Sequence, residues 1–185
     1  MNTDKPILKE LNQRKSVRAF LEKEIEPEKL DTLWEAARWA PSFSNKQDWR
    51  YYATIGQARK KFTDILNAGN HWALKAPLLL TVTRDISSES KTESREYGTY
   101  DVALSVMSLV IEAEHQGLRA HQMAGFKEKE LIRVLKMPPQ ETPVVIIAIG
   151  YEGSTEDLDP ITKEKEMRPR IRKSIKEIVK ILPSI

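Results

Sequence analysis

The stretch "YDVALSVMSLVIEAEHQG", residues 100–117, constrains this chain more than any other. It has the length of one long helix, ended by Gly117. Val102, Leu104, Val106, Met107, Leu109, Val110 and Ile111 leave little polar surface around its circumference. A helix that is apolar nearly all round must be buried on nearly all sides. A chain of 185 residues rarely surrounds such a helix by itself, so the pattern predicts a subunit interface.

Other apolar runs supply what packs against it. "PVVIIAIG" (143–150) is the strongest strand, and "PLLLTVT" (77–83) is a short continuous run suited to burial on both faces. "WRYYATI" (49–55) reads as an aromatic-rich strand, and "LRAHQM" as a further one. Pro27 opens a helix in which Leu30, Leu33, Trp34 and Ala37 recur at helical spacing, and Pro41 stops it. "QARKKFTDILNA" reads as a helix ending near Gly69, and "KEKELIRVLK" as an amphipathic one. Thr3 or Asp4 would cap a short first helix, with Pro6 near its first turn and Ile7, Leu8 and Leu11 as its stripe. The tail is basic and is expected to end in an amphipathic helix. Residues 85–99 are polar and read as a loop or lid. There is no regular βαβ repeat, no GxGxxG, no Walker A sequence and no internal repeat. These features fit one α+β domain over residues 1–185, a central sheet covered by helices, with residues 160–185 as a basic C-terminal extension.

Composition excludes several classes. The chain contains no cysteine, which removes disulfides, thiolate metal sites and a thiol nucleophile. With only His71, His115 and His121, a histidine metal cluster is not expected. The net charge of +3 is far from the footprint of a dedicated nucleic-acid binder and suits a small anionic ligand at least as well. "MNTDKPILKELNQRK" has no apolar signal-peptide core, and no apolar run approaches the ~20 residues of a spanning helix. The expectation is a cytoplasmic protein with no membrane and no nucleic-acid partner.

Four polar elements remain. In extended chain, Arg14, Ser16 and Arg18 of "QRKSVRAF" share one face, with Lys15 between them. Two guanidinium groups flanking a hydroxyl suit a phosphate. "RPRIRKS" repeats the alternation with Arg168, Arg170 and Arg172. "APSFSNKQDW" (40–49) stores more hydrogen-bonding capacity than a turn requires. Its Asn45 and Gln47 can each donate and accept, as the edge of a heterocycle demands. In "AHQMAGF" (120–126), Ala124 and Gly125 leave backbone N–H groups open to a flat ligand. Taken singly, each has a plainer reading: a solvated basic loop, a basic tail, a capped helix end, a structural His121 and a core Met123.

Taken together, and in this order, these elements make the chain resemble the nitroreductase family of flavoproteins. The resemblance runs through "RKSVRAF", "AARWAPSFSNKQDWRYY", "GTYDVALSVMSLVIEAEHQGL", "HQMAGF", "PVVIIAIGY" and "RIRKSIKEIV". It implies an α+β fold with a mostly antiparallel central sheet, and a homodimer with FMN in each of two interface clefts. Arg14, Lys15, Ser16 and Arg18 match the phosphate and ribityl contacts, and Arg170 with Arg172 the late basic pair. Arg168 is the alternative first member of that pair. Pro41, Ser42, Phe43, Asn45 and Gln47 fall on the segment that reaches toward the partner's flavin. Gln122, Met123, Ala124 and Gly125 fall on the segment lying along the flavin ring. Asp48 stands where the family usually has proline, and Ala124 where many relatives carry glutamate or glycine.

The resemblance implies an oxidoreductase that takes hydride from NADH or NADPH and reduces nitroaromatics, quinones or other electron-poor small molecules in ping-pong order. The flavin would carry the chemistry, so no catalytic side chain and no metal ligand is nominated. Rivals are reductive dehalogenation or flavin breakdown, a flavin-binding redox sensor without turnover, and a basic nucleic-acid module.

Overall fold

A computed structural model describes residues 5–87, 91–92 and 95–182 of the chain. Its centre is formed by two strands, β2 (Leu78–Asp85) and β6 (Glu141–Gly150), as the two apolar runs predict. They pair antiparallel, with Leu80 opposite Ile147 and Leu79 opposite Ala148. β1 (Trp49–Ile55) adds to the free side of β2, and β5 (Arg119–Met123) to the free side of β6. The order is β1–β2–β6–β5, all antiparallel. The ladder slips once, where Val82 faces Val145 but Thr83 faces Pro143. Pro143 has no N–H to give a ladder, and a bulge is where a sheet tolerates proline.

Each face of the sheet has its own core. Leu78, Leu80, Val82, Ile147 and Ile149 pack with residues of α2 (Pro27–Arg38) and α3 (Gly98–His115), among them Leu33, Ala37, Val106 and Leu109. Leu79, Ile146 and Ala148 point the other way, into a cluster with Phe62, Ile65, Trp72 and, from α4 (Glu128–Leu135), Leu131. A strand buried on both faces cannot alternate apolar with polar, which is why β2 reads as a continuous run. The fold is α+β, an antiparallel sheet flanked by helices.

α3 is the longest helix among the described residues, 18 residues, and they cover one side of it. Val102, Val106, Leu109, Val110 and Ala113 are buried. Ala103 and Met107 on the opposite side are exposed, and Leu104 and Ile111 half-buried. A helix that is apolar nearly all round therefore keeps an uncovered apolar stripe.

Several local expectations are corrected. The first helix, α1 (Lys9–Gln13), begins after Pro6. Its apolar residues do not form the buried stripe: Ile7, Leu8 and Leu11 are exposed, and Glu10 is buried instead, against His115 at the far end of α3. Thr3 and Asp4 lie outside the described residues. "QARKKFTDILNA" is not one α-helix but a 3-10 segment, Gly56–Phe62, followed by irregular chain and a second one, Ala68–Lys75. Long-range bonds pull it out of helix: Leu66 bridges to Phe126, and the Ile65 carbonyl accepts from the Lys127 amide. Within 85–99, residues 88–90 and 93–94 lie outside the described residues, and β3 (Lys91–Thr92) pairs with β4 (Arg95–Glu96). The tail contains α5 (Pro160–Glu166), capped by Asp159, and a single turn, α6 (Ile175–Ile178), in place of a long amphipathic helix. Ile171, Ile175, Ile178, Ile181 and Leu182 are all exposed.

Candidate functional site

Arg14 ends α1, and irregular chain from Lys15, with a bend at Arg18, leads to a bridge between Phe20 and Glu152. The late arginines come back to this point. The Arg170 guanidinium donates to the Arg14 carbonyl at 2.6 Å, the Gln13 carbonyl at 3.1 Å and the Asn12 carbonyl at 2.5 Å. Burial, then the charges of Arg172 and Arg170, pulls the Arg14 pKa down, with Glu114 opposing. Like charges drawn together and partly buried are an electrostatic cost, which an anion bound among them would relieve.

The neighbouring cations are occupied differently. Lys15 pairs with Glu152 at 2.6 Å, and Glu152 also takes Arg119 at 2.8 Å. Arg18 holds Glu166 through its backbone N–H at 2.9 Å and its guanidinium at 3.4 Å. Ser16 is exposed. Arg168 pairs with Glu164 at 2.9 Å. Of the late arginines, Arg170 bonds the carbonyls of residues 12–14, and the charges of Arg172 and Arg170 act on Arg14.

His121 on β5 anchors the same region from below. It is buried, its Nδ1 lies 2.7 Å from the Val17 carbonyl, and its ring meets Trp72. Burial pushes its pKa down to about 4, with the Val17 bond opposing and Arg18 and Arg14 assisting. It is thus neutral, with Nδ1–H donating to Val17. Beyond it Gln122 and Ala124 are exposed, Met123 is buried and Gly125 half-buried. The Gly125 carbonyl accepts from the Asn67 N–H at 3.1 Å and from Asn70 Nδ2 at 3.0 Å. A side chain at 125 would meet Asn70 Nδ2 at 2.8 Å. Asn67 and Asn70 were not singled out from sequence. Two amides flanking Gly69 were the available signal, hidden because the stretch reads as a helix end.

The 42–47 loop lies elsewhere in the chain. The Gln47 N–H donates to Ser42 Oγ at 3.1 Å, and Gln47 Nε2 to Asn45 Oδ1 at 2.9 Å. The Phe43 N–H donates to Asp101 at the N-terminal end of α3. The arginine cluster sits with α1 at the C-terminal end, where Glu10 meets His115. The rise from Asp101 to His115 is roughly 20 Å. Within one chain the two parts of the predicted site stand at opposite ends of α3. No cluster of candidate metal ligands occurs among the described residues, and no helix among them is long and apolar enough to cross a membrane.

With this geometry in place, similarity to known proteins defines the class. The model of the "Nitroreductase family" matches residues 11–71 and 64–151. The chain belongs to the nitroreductase family. It is 25% identical over 162 residues to the FMN reductase [NAD(P)H] of Bacillus subtilis, covering 78% of this chain and 65% of that protein. It is 31% identical over 114 residues to an uncharacterised 15.4 kDa protein of Mycolicibacterium smegmatis, covering 62% of this chain and 76% of that one. Among solved structures, an oxidoreductase containing FMN superposes with a TM-score of 0.85 at 26% identity, covering 96% of this chain and 92% of that one.

Proposed function

We propose that the chain is an FMN-dependent NAD(P)H oxidoreductase acting as a homodimer. The observation that carries this reading is the bonding of Arg170 to the backbone carbonyls of residues 12–14, which brings the late basic segment, Arg172 included, within electrostatic reach of Arg14 in a nitroreductase-family chain. The cluster fits the cofactor's phosphate: Arg170 draws the late basic segment onto the carbonyls of residues 12–14, and Arg14, partly buried and under the positive charges of Arg172 and Arg170, sits where a negative charge would be favoured. Arg14, Arg172 and Ser16 would hold the phosphate end, and Arg170 would shape the cluster through the carbonyls of residues 12–14. Lys15 and Arg18 lie beside it, already paired with carboxylates. Gln122, Met123, Ala124 and Gly125, braced by Asn67 and Asn70, would lie along the ring.

Pro41, Ser42, Phe43, Asn45 and Gln47 would serve the partner's cofactor. Two α3 helices packed antiparallel through their exposed stripes would bring the loop of one chain to the arginine cluster of the other. That resolves the roughly 20 Å separation within one chain. The same packing covers Met107 and Ala103.

When bound, FMN supplies hydride transfer from a reduced nicotinamide and reduction of an electron-poor acceptor such as a nitroaromatic or a quinone, one after the other in the same cleft. The chain's own groups bind, orient and exclude water. His121 is neutral and committed to Val17, and no side chain is assigned a proton to move.

The test is direct. The purified protein should be yellow, release FMN on denaturation and oxidise NADH or NADPH with a nitroaromatic or quinone acceptor. Double-reciprocal plots at several acceptor concentrations should be parallel. A colourless protein that takes up no FMN would refute the reading, and a yellow one without turnover would leave a flavin-binding sensor.

A further inference from the structure

The 42–47 loop has a backbone it would not keep unaided. Ser44, Asn45 and Gln47 lie in the left-handed region, at φ 49°, 56° and 55°. None is glycine, and three such residues in four positions favour rearrangement unless the surroundings hold them. Two contacts from the N-terminal end of α3 do so, and both fall on Phe43. The Asp101 carboxylate accepts a hydrogen bond from the Phe43 N–H at 3.0 Å. The Tyr97 ring stacks on the Phe43 ring, with centroids 4.6 Å apart and planes 15° from parallel. The two are tied together, since the Asp101 N–H donates to the Tyr97 carbonyl at 2.8 Å.

Asp101 is only 2% exposed, an uncommon place for a carboxylate. The first turn of a helix favours negative charge, and the Phe43 N–H supplies a charge-assisted bond. Burial pushes its pKa up, the Phe43 bond pulls it down, and the nearby Asp48 pushes it up again. Asp101 also lies next to the core: Ser105, one turn on, bonds Tyr51 and the Ala37 carbonyl. An apolar residue there would suit that core better, so the carboxylate marks a task, and the Phe43 N–H is the group it serves.

We propose that Asp101, with Tyr97, is a positioning residue that fixes the strained 42–47 loop so that Asn45 and Gln47 are presented to the cofactor. The inference rests on the cofactor reading above. On this reading both act through Phe43, which Asp101 bonds and Tyr97 stacks on.

The experiment compares Asp101→Ala, Asp101→Asn and Asn45→Ala/Gln47→Ala, singly and combined, by FMN titration. Amide hydrogen exchange of residues 43–47 is measured alongside, with no FMN added. Asp101→Ala should weaken FMN by about tenfold. It should speed exchange at 43–47 and leave the amides of β2 and β6 protected. Asp101→Asn keeps an oxygen that accepts from the Phe43 N–H and should recover most of both effects. In the Asn45→Ala/Gln47→Ala background, Asp101→Ala should weaken FMN no further, because both losses run through the same side chains. Equal losses in the two backgrounds, or unchanged exchange at 43–47, overturn the proposal. Should Asp101→Ala fail to fold, Tyr97→Leu against Tyr97→Phe asks the same question, since only phenylalanine keeps the stack. If the wild type takes up no FMN, the cofactor reading fails and the proposal falls with it. If FMN binds and the losses add, only the proposal falls.

Discussion

Arg170 and Arg172 stand two positions apart and have different work. Arg170 spends its donors on the carbonyls of residues 12–14, whereas Arg172 donates to the neighbouring Ile171 carbonyl at 2.8 Å and is exposed. Arg14→Ala and Arg172→Ala should each remove a charge-assisted phosphate contact of about 1.5–3 kcal/mol. FMN should loosen by roughly ten- to a hundred-fold in either variant, while riboflavin, which lacks the phosphate, should be far less affected. Equal losses for the two ligands in titrations would remove the phosphate assignment. His121 makes a different prediction. Its native pKa of about 4 lies below the ordinary 6.5, so in mild acid the unfolded chain takes up a proton that the folded chain refuses. The stability is complete above the unfolded value and is lost as the pH falls toward the folded one, by about 3 kcal/mol in all. Urea midpoints of wild type and His121→Gln, compared near neutral pH and near pH 4, should show a much flatter dependence in the variant. The arginines of the two basic segments could be nominated from sequence because alternating charge is a local pattern, whereas the bonding of Arg170 to the carbonyls of residues 12–14 could not. Asp101 was not legible, since a single aspartate at the start of an apolar helix reads as a dipole partner, and its bond to Phe43 spans 58 positions.

At the scale of elements, α3 divides into two faces that a substitution can tell apart. Val106 is 2% exposed and faces the chain's own core, whereas Met107 is 38% exposed on the uncovered stripe. Val106→Glu buries a charge among apolar neighbours and should destabilise the fold by about 4 kcal/mol or more. Met107→Glu should leave a folded chain that sediments as a monomer and binds FMN poorly. If Met107→Glu sediments like the wild type, the stripe is not the interface. The core strands were legible because a continuous apolar run has few other ways to be buried. The segment from 56 to 75 was not. Phe62, Ile65 and Leu66 recur at helical spacing, yet Leu66 bridges to Phe126 and the Ile65 carbonyl accepts from Lys127, more than 50 positions on. Such bonds leave no trace in a local window. The tail misled in the same way, since its apolar residues keep a helical rhythm while α6 is only four residues long and holds two of them, Ile175 and Ile178.

For the whole molecule, the separation of the loop from the arginine cluster sets the decisive experiment. Mixed dimers can be made from one Asn45→Ala/Gln47→Ala chain and one Arg14→Ala/Ser16→Ala chain. If the loop serves the partner, one cleft carries both sets of damage and the other carries neither. FMN should then bind at near wild-type affinity and half the wild-type stoichiometry. If the loop serves its own chain, no tight cleft remains in a folded mixed dimer, and titration by flavin fluorescence separates the two outcomes. The arginine cluster has a consequence of another kind. Arg170 meets Arg14 across 156 positions of sequence, so a phosphate gripped by Arg14 and Arg172 clasps a ring made of most of the polypeptide. Such a clasp is a removable cross-link, whose strength follows ligand concentration and hardly changes with the length of chain enclosed. Release of the anion would leave the basic tail held at this point by the Arg170 bonds to the carbonyls of residues 12–14 without the clasp through Arg172, and its trypsin sites should be cut faster than in the bound form. Resistance of that tail to nicking is therefore a gauge of occupancy, readable on a gel without any measurement of colour or turnover.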